Sequence, residues 1–231
     1  MSGCRFQGIK SKKIDHLIID LRENYGGESI FALNLYSYIS TGTFQAISHS
    51  LTKLSGPITY AAYSNYPQGN YPFLNTHKVS TLGDSLLKLS GGIDSKKSYD
   101  SDFIYSGPDA KPLDISNNKY TGAVYVLTGG MTFSAASTFV AMVYSNDRAT
   151  IIGEETGGAY GDFCGGGFLN VTLPNSKFVL QIPFMRRIKS IKPLIDQGRG
   201  TIPHFIVEEN LNSKLEKRDI EMERALELIR E

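Results

Sequence analysis

At 231 residues, 41% of them hydrophobic and 20% charged, the chain can bury a sizeable core in one or two domains, which excludes disorder of the whole. A formal net charge of +1, with basic and acidic residues interspersed, excludes the electrostatic footprint of a nucleic-acid partner or an anionic membrane. Two cysteines, Cys4 and Cys164, are too few for a disulfide framework and lack zinc-type spacing; no run of about 18 apolar residues and no charged-then-apolar leader is present, so no metal, cofactor, membrane span or export signal is expected.

The first element is the apolar run His16-Leu-Ile-Ile-Asp20, a strand that leads through Leu21-Arg-Glu-Asn-Tyr25 to the pair Gly26-Gly27. Residues 28–40 place Ile30, Phe31, Leu33, Leu35 and Ile39 at roughly helical spacing, so residues 1–40 read as strand, glycine turn and helix. From 41 to 120 the chain turns rich in Tyr, Ser, Asn, Gly and Pro, with Tyr60, Tyr63, Tyr66 and Tyr71 near Pro67 and Pro72. Long excursions inside compact domains are uncommon unless functional, and aromatic side chains with adaptable polar neighbours suit peptide contact. A surface insertion packed by its own tyrosines fits the same composition.

The strand-turn-helix pattern returns in the third segment, 121–231. A strand at 123–128 meets Gly129-Gly130, and a helix at 134–145 carries Phe139, Met142 and Val143 on one face. Recurrence of the motif predicts a layered α/β core. A strand at 150–155 precedes the Gly-rich loop 156–167, and 168–174 with 177–183 predict a hairpin joined through Asn175-Ser176 whose Leu, Val and Phe content covers an adjacent sheet. The tail predicts a strand at 205–208 and a terminal helix capped by Asp219.

Acyl transfer needs a nucleophile, a base and donors aimed at the developing oxyanion. Ser134 is expected at a helix start, where orphan amides and the positive dipole end favour negative charge. The amide of Ala135 supplies one oxyanion donor in this reading, and Gly26 or Gly27 the second, because glycine alone lets backbone approach a ligand closely in an unusual conformation. Taken singly, each motif also fits a structural role, Ser134 as an N-cap and the glycines as turn residues.

Three blocks carry a family resemblance: Asp20-Leu-Arg-Glu-Asn-Tyr-Gly-Gly27, Ser134-Ala-Ala-Ser137, and Ile151-Ile-Gly-Glu-Glu-Thr-Gly-Gly158. In order and spacing they resemble the signature blocks of the C-terminal processing and tricorn-type serine peptidases. Gly200-Thr-Ile-Pro203 with Asp219–Ile229 is similar to the end of that catalytic domain. The resemblance implies a crotonase-like ββα fold shared with the Clp proteases, with residues 41–120 as a Tyr-rich insertion. It implies Ser134 as nucleophile, and Ala135 with the Gly26-Gly27 turn as oxyanion hole. It also implies a polypeptide substrate, a bacterial periplasm or cell-envelope setting, and an upstream domain on a longer parent chain.

The base is where the sequence departs from the family. In the processing peptidases a lysine follows the Gly-Glu pair, and counting from Gly153-Glu154 that slot falls on Ala159, which cannot take a proton. Neighbouring Tyr160 has an ordinary pKa of about 10 and makes a poor base at neutral pH. The tricorn-type branch uses a histidine upstream of the Asp-Leu-Arg strand, oriented by a carboxylate, for which Asp196, Glu208 and Glu209 are candidates. His16, His49, His77 and His204 show no local base pattern, so the base-bearing strand is expected before Met1 and self-association at the uncovered edge is expected with it. Two other readings fit parts of the pattern: a base-less peptide-binding pseudopeptidase, and a crotonase-type acyl-CoA enzyme, against which the Asp-Leu-Arg and Ser-Ala-Ala blocks argue.

Overall fold

The computed structural model describes residues 12–52, 60–65, 77–78, 103–105, 112–165, 167–192 and 198–231. Its elements are β1 (His16–Asp20), α1 (Ser29–Ile39), β2 (Ile47–Thr52), β3 (His77–Lys78), β4 (Phe103–Tyr105), β5 (Ala123–Thr128), α2 (Ser134–Ser145) and β6 (Thr150–Gly153). They continue with β7 (Phe163–Cys164), β8 (Phe168–Thr172), β9 (Val179–Pro183), β10 (Arg186–Lys189), β11 (Phe205–Ile206), α3 (Leu211–Leu215) and α4 (Ile220–Arg230). The chain divides into two compact units, one of residues 1–46, 112–161 and 191–231, the other of residues 47–111 and 162–190.

In the first unit the two apolar runs that end at glycine turns become neighbouring strands. β1 pairs with β5 in parallel, from His16 opposite Ala123 to Asp20 opposite Leu127. β6 continues the sheet on the far side of β5, and β11 follows, giving the all-parallel order β1-β5-β6-β11. Side chains alternate across a strand. Tyr125 and Leu127 join Ile152 and Ala225 in a buried cluster against which Met222, Leu228 and Ile229 of α4 pack, so that helix covers one face. Val124 and Val126 are buried on the other. A strand enclosed on both faces carries an unbroken apolar run rather than an alternating one, as Val124–Leu127 does.

Helix α2 is the most enclosed helix of this unit. Phe139, Val140, Met142 and Val143 are at most 1% exposed, and burying each such side chain contributes about 1.5–3 kcal/mol. It packs against α1, whose buried residues are Leu33, Tyr36 and Ile39. Ile30 and Phe31, expected on the same apolar face, are exposed instead. The carboxyl end of α1 is closed by Arg148, which donates to the carbonyl of Ile39 and, through Nη2, to those of Tyr120 and Gly122 at 3.0 and 3.1 Å. Asp219 caps α4, its carboxylate accepting from the Met222 amide at 3.0 Å.

The second unit holds an antiparallel sheet of order β3-β4-β2-β10-β7 and the separate hairpin β8-β9, paired from Phe168 opposite Pro183 to Thr172 opposite Val179. The predicted hairpin is therefore present, but its packing differs. Leu169 and Val171 are buried with Ala61 and Phe184 against them, whereas Phe178, Val179, Leu180 and Ile182 face solvent. Tyr60 and Tyr63 are also exposed; the rest of the tyrosine cluster, Tyr66 and Tyr71, lies outside the described residues.

Candidate active site

The site is built where β5 ends. The chain leaves Thr128, turns through Gly129 and Gly130, and re-enters regular structure at Ser134, the first residue of α2. Thr132 fixes that turn. Its hydroxyl accepts from the Gly129 amide at 3.1 Å and donates to the carbonyl of Leu21, beyond β1, at 2.7 Å. Phe133 is extended (φ −122°, ψ 166°), and Ser134 then takes φ +50°. A left-handed conformation costs a non-glycine residue about 1–2 kcal/mol, and such strain clusters at functional sites. Ser134 is not an N-cap: Phe133 holds the capping position and no side chain caps the helix. Its side chain is exposed, as a strand-turn-helix elbow requires of a nucleophile.

The Gly26-Gly27 turn lies against this elbow. A Cβ added to Gly26 would sit 2.7 Å from the Ser134 Cβ and 2.9 Å from the Ala135 nitrogen, and Gly26 and Gly27 have φ of +97° and +135°. Glycine is needed at Gly26 for both space and conformation. The four predicted residues, Gly26, Gly27, Ser134 and Ala135, therefore come together. Between the two glycine amides the structure discriminates. That of Gly26 donates to Asn24 Oδ1 at 2.9 Å, while among the described residues no acceptor is found for the amides of Gly27 and Ala135.

A third segment closes the elbow from behind. The Gly158 amide donates to the Thr132 carbonyl at 3.0 Å, and a Cβ on Gly158 would strike Ser137 Oγ at 2.2 Å. Ala159 bridges to Gly200, and Glu155 holds this strap in place by accepting from the Gly200 amide at 2.7 Å and pairing with Arg199. The Arg199 guanidinium keeps the Glu155 carboxyl below the usual carboxylate range.

Among the described residues of this unit, no candidate base is hydrogen-bonded to the Ser134 hydroxyl. Tyr160 is 4% exposed, its hydroxyl donating to the Lys192 carbonyl at 2.9 Å, and burial raises its pKa further. His204 accepts from the Ile151 amide through Nδ1 at 2.9 Å and stacks on Tyr144; Tyr144 lies ten residues beyond Ser134, about 15 Å along the helix. His16 opens β1, roughly 13 Å along the strand from Asp20. His49 and His77 belong to the second unit. Glu209 pairs with Lys214, Glu208 is exposed, and Asp196 lies outside the described residues. A cavity of about 390 Å³, lined by Ala123, Tyr125, Arg148, Thr150 and His204, opens at the start of β5 and β6, the opposite end of the sheet from Ser134.

Two features of the site's surroundings are not among the residues the sequence singles out. Asn24, two residues before Gly26, has the Asn-x-Gly spacing of a side-chain-to-backbone turn, which was the available signal. Arg22 stands in the Asp20-Leu-Arg block, but nothing local gave its distant partners: its guanidinium joins Asp20, Asp219 and Glu221 at 2.6, 2.6 and 3.3 Å, tying the end of β1 to the start of α4.

A parallel sheet whose central strand delivers a strained, exposed serine to a helix start has the nucleophile-elbow geometry of hydrolytic α/β proteins. The chain belongs to peptidase family S41, whose model matches residues 5–162. Among solved structures it is similar to a protein assigned as a peptidase from Parabacteroides merdae, with 17% identity and a TM-score of 0.53 over 98% of this chain and 56% of that one. It is similar also to mature CPAF, with 18% identity and a TM-score of 0.54 over 90% of this chain and 42% of that one. These likenesses concern the fold, and the chain spans about half the length of the structures it matches. No curated protein sequence matches it.

Proposed function

We propose that the chain forms the nucleophile-bearing part of a serine endopeptidase that hydrolyses polypeptides through an acyl-enzyme. The observation that carries this is Ser134, at φ +50° on the α2 elbow, with the Ala135 amide and the Gly26-Gly27 turn beside it. Ser134 Oγ attacks the scissile carbonyl carbon and its proton passes to a base; the carbonyl electron pair moves to oxygen, where the Ala135 and Gly27 amides receive it. Collapse expels the amine, which takes that proton, and water releases the acyl group by the same steps. Loss of one such donor typically costs about 3–4 kcal/mol of transition-state stabilisation. Gly26 shapes the hole by its lack of a side chain.

The sheet is read as a crotonase/Clp-like core, in support of which stand its all-parallel order and the α4 layer on one face. Extended substrate adds as a strand beside this sheet, because backbone pairing gives affinity with little sequence demand. The base is a histidine supplied from outside the described residues of the first unit, on a longer parent chain in a bacterial cell envelope. Ala159 in the lysine slot and the distant placement of His16 and His204 support that choice. The test is hydrolysis of an unstructured polypeptide by the protein made from its full reading frame. Cleavage abolished by Ser134→Ala is expected; cleavage that survives the substitution overturns the assignment.

A further inference from the structure

We propose that Asn24 is a positioning residue that sets the oxyanion hole in register with the nucleophile, an inference that rests on the serine-peptidase reading of the same site. Asn24 touches both halves at once. Its backbone carbonyl accepts from the Phe133 amide at 3.0 Å, one residue before Ser134, and its side-chain Oδ1 accepts from the Gly26 amide at 2.9 Å. Its own amide donates to the Leu21 carbonyl at 3.1 Å, and that same carbonyl receives the Thr132 hydroxyl. The two sides of the site are thus joined by a closed circuit, Leu21 to Asn24 to Phe133 to Thr132 and back.

The side-chain bond does something the backbone bonds cannot. With positive φ at both Gly26 and Gly27, this stretch has wide conformational freedom. An acceptor held on the Gly26 amide selects one conformer and turns that donor away from the substrate, leaving Gly27 to face it. Alanine at position 24 keeps the backbone circuit and releases the turn. Serine restores a neutral oxygen acceptor with the same two-residue reach, in weaker form.

The experiment measures phosphonylation rates with a fluorophosphonate on the protein made from its full reading frame, as wild type, Asn24→Ala and Asn24→Ser. Melting midpoints and kcat and KM on one peptide are recorded alongside. Expected are a loss of tenfold or more in labelling rate and kcat for Asn24→Ala at nearly unchanged KM and midpoint, and recovery to within about threefold of wild type for Asn24→Ser. Wild-type labelling with Asn24→Ala equally fast overturns the positioning role alone. So does an Asn24→Ser protein as slow as Asn24→Ala. A wild-type protein that is not labelled overturns the peptidase reading and this inference with it.

Discussion

Gly26 and Ser134 stand so close that a Cβ on the glycine would lie 2.7 Å from that of the serine. Two segments separated by more than a hundred residues are thereby locked face to face, and the contact leaves no room for any other residue at position 26. Gly27 is different: its φ is +135°, but a Cβ there meets nothing within 4 Å.

That contrast gives a paired prediction. Gly26→Ala should displace the turn from the elbow and lower both turnover and the melting midpoint. Gly27→Ala should strain only the backbone that carries the proposed oxyanion donor, reducing turnover more than tenfold with a smaller loss of stability. Kinetics and thermal melts of the two variants check this; turnover unchanged in both removes the loop from the site.

Tyr160→Phe should leave turnover within about twofold. The hydroxyl is enclosed and donates to the Lys192 carbonyl, so its loss costs about 1 kcal/mol of stability rather than a proton acceptor. A large fall in activity would return Tyr160 to the list of bases.

Acid should loosen the anchor beneath the Gly26-Gly27 loop. Arg22 lowers the pKa values of Asp20 and Asp219. Both carboxylates therefore stabilise the fold above their ordinary values near 4, and that contribution is lost as pH falls through the lower folded values. Arg22→Met should cost about 1–2 kcal/mol at pH 7, with allowance for partners that are nearly half exposed, and should flatten this acid limb in melts followed from pH 7 to pH 2.

The strand-turn-helix units were legible because local chemistry dictates them: unbroken apolar runs, glycine pairs, and an Asp219 whose carboxylate caps α4. The meeting of Gly26, Gly27, Ser134 and Ala135 was legible as a pattern of motifs. The left-handed Ser134 was not, since it depends on bonds from Thr132 to Leu21 and from Phe133 to Asn24 that link distant segments. The exposed apolar side of β9 and the exposure of Phe31 were equally hidden, because periodicity reports which residues share a face and not what lies opposite. The same holds for β2 against β10, where His49 faces Ile188 across a ladder whose partners lie far apart in sequence.

That ladder encloses a lysine. Burial pushes Lys189 down to about 7, partly opposed by Asp162, while its ammonium lies 5.2 Å from the Phe163 ring. The unfolded chain holds the proton to about pH 10.4, so between these values it binds more protons than the folded one and stability rises with pH, by at most about 1.4 kcal/mol per unit. Below pH 7 the full penalty remains. Lys189→Met should remove the rise, visible as the difference between wild-type and variant denaturant midpoints from pH 7 to pH 10.

The most direct measurement is the mass of the fluorophosphonate adduct on the protein made from its full reading frame, with the modified residue located by peptide sequencing. A single phosphonyl group on Ser134, lost in Ser134→Ala while the melting midpoint is retained, is the predicted result. An adduct on any other residue, or none on a folded protein, would contradict the account.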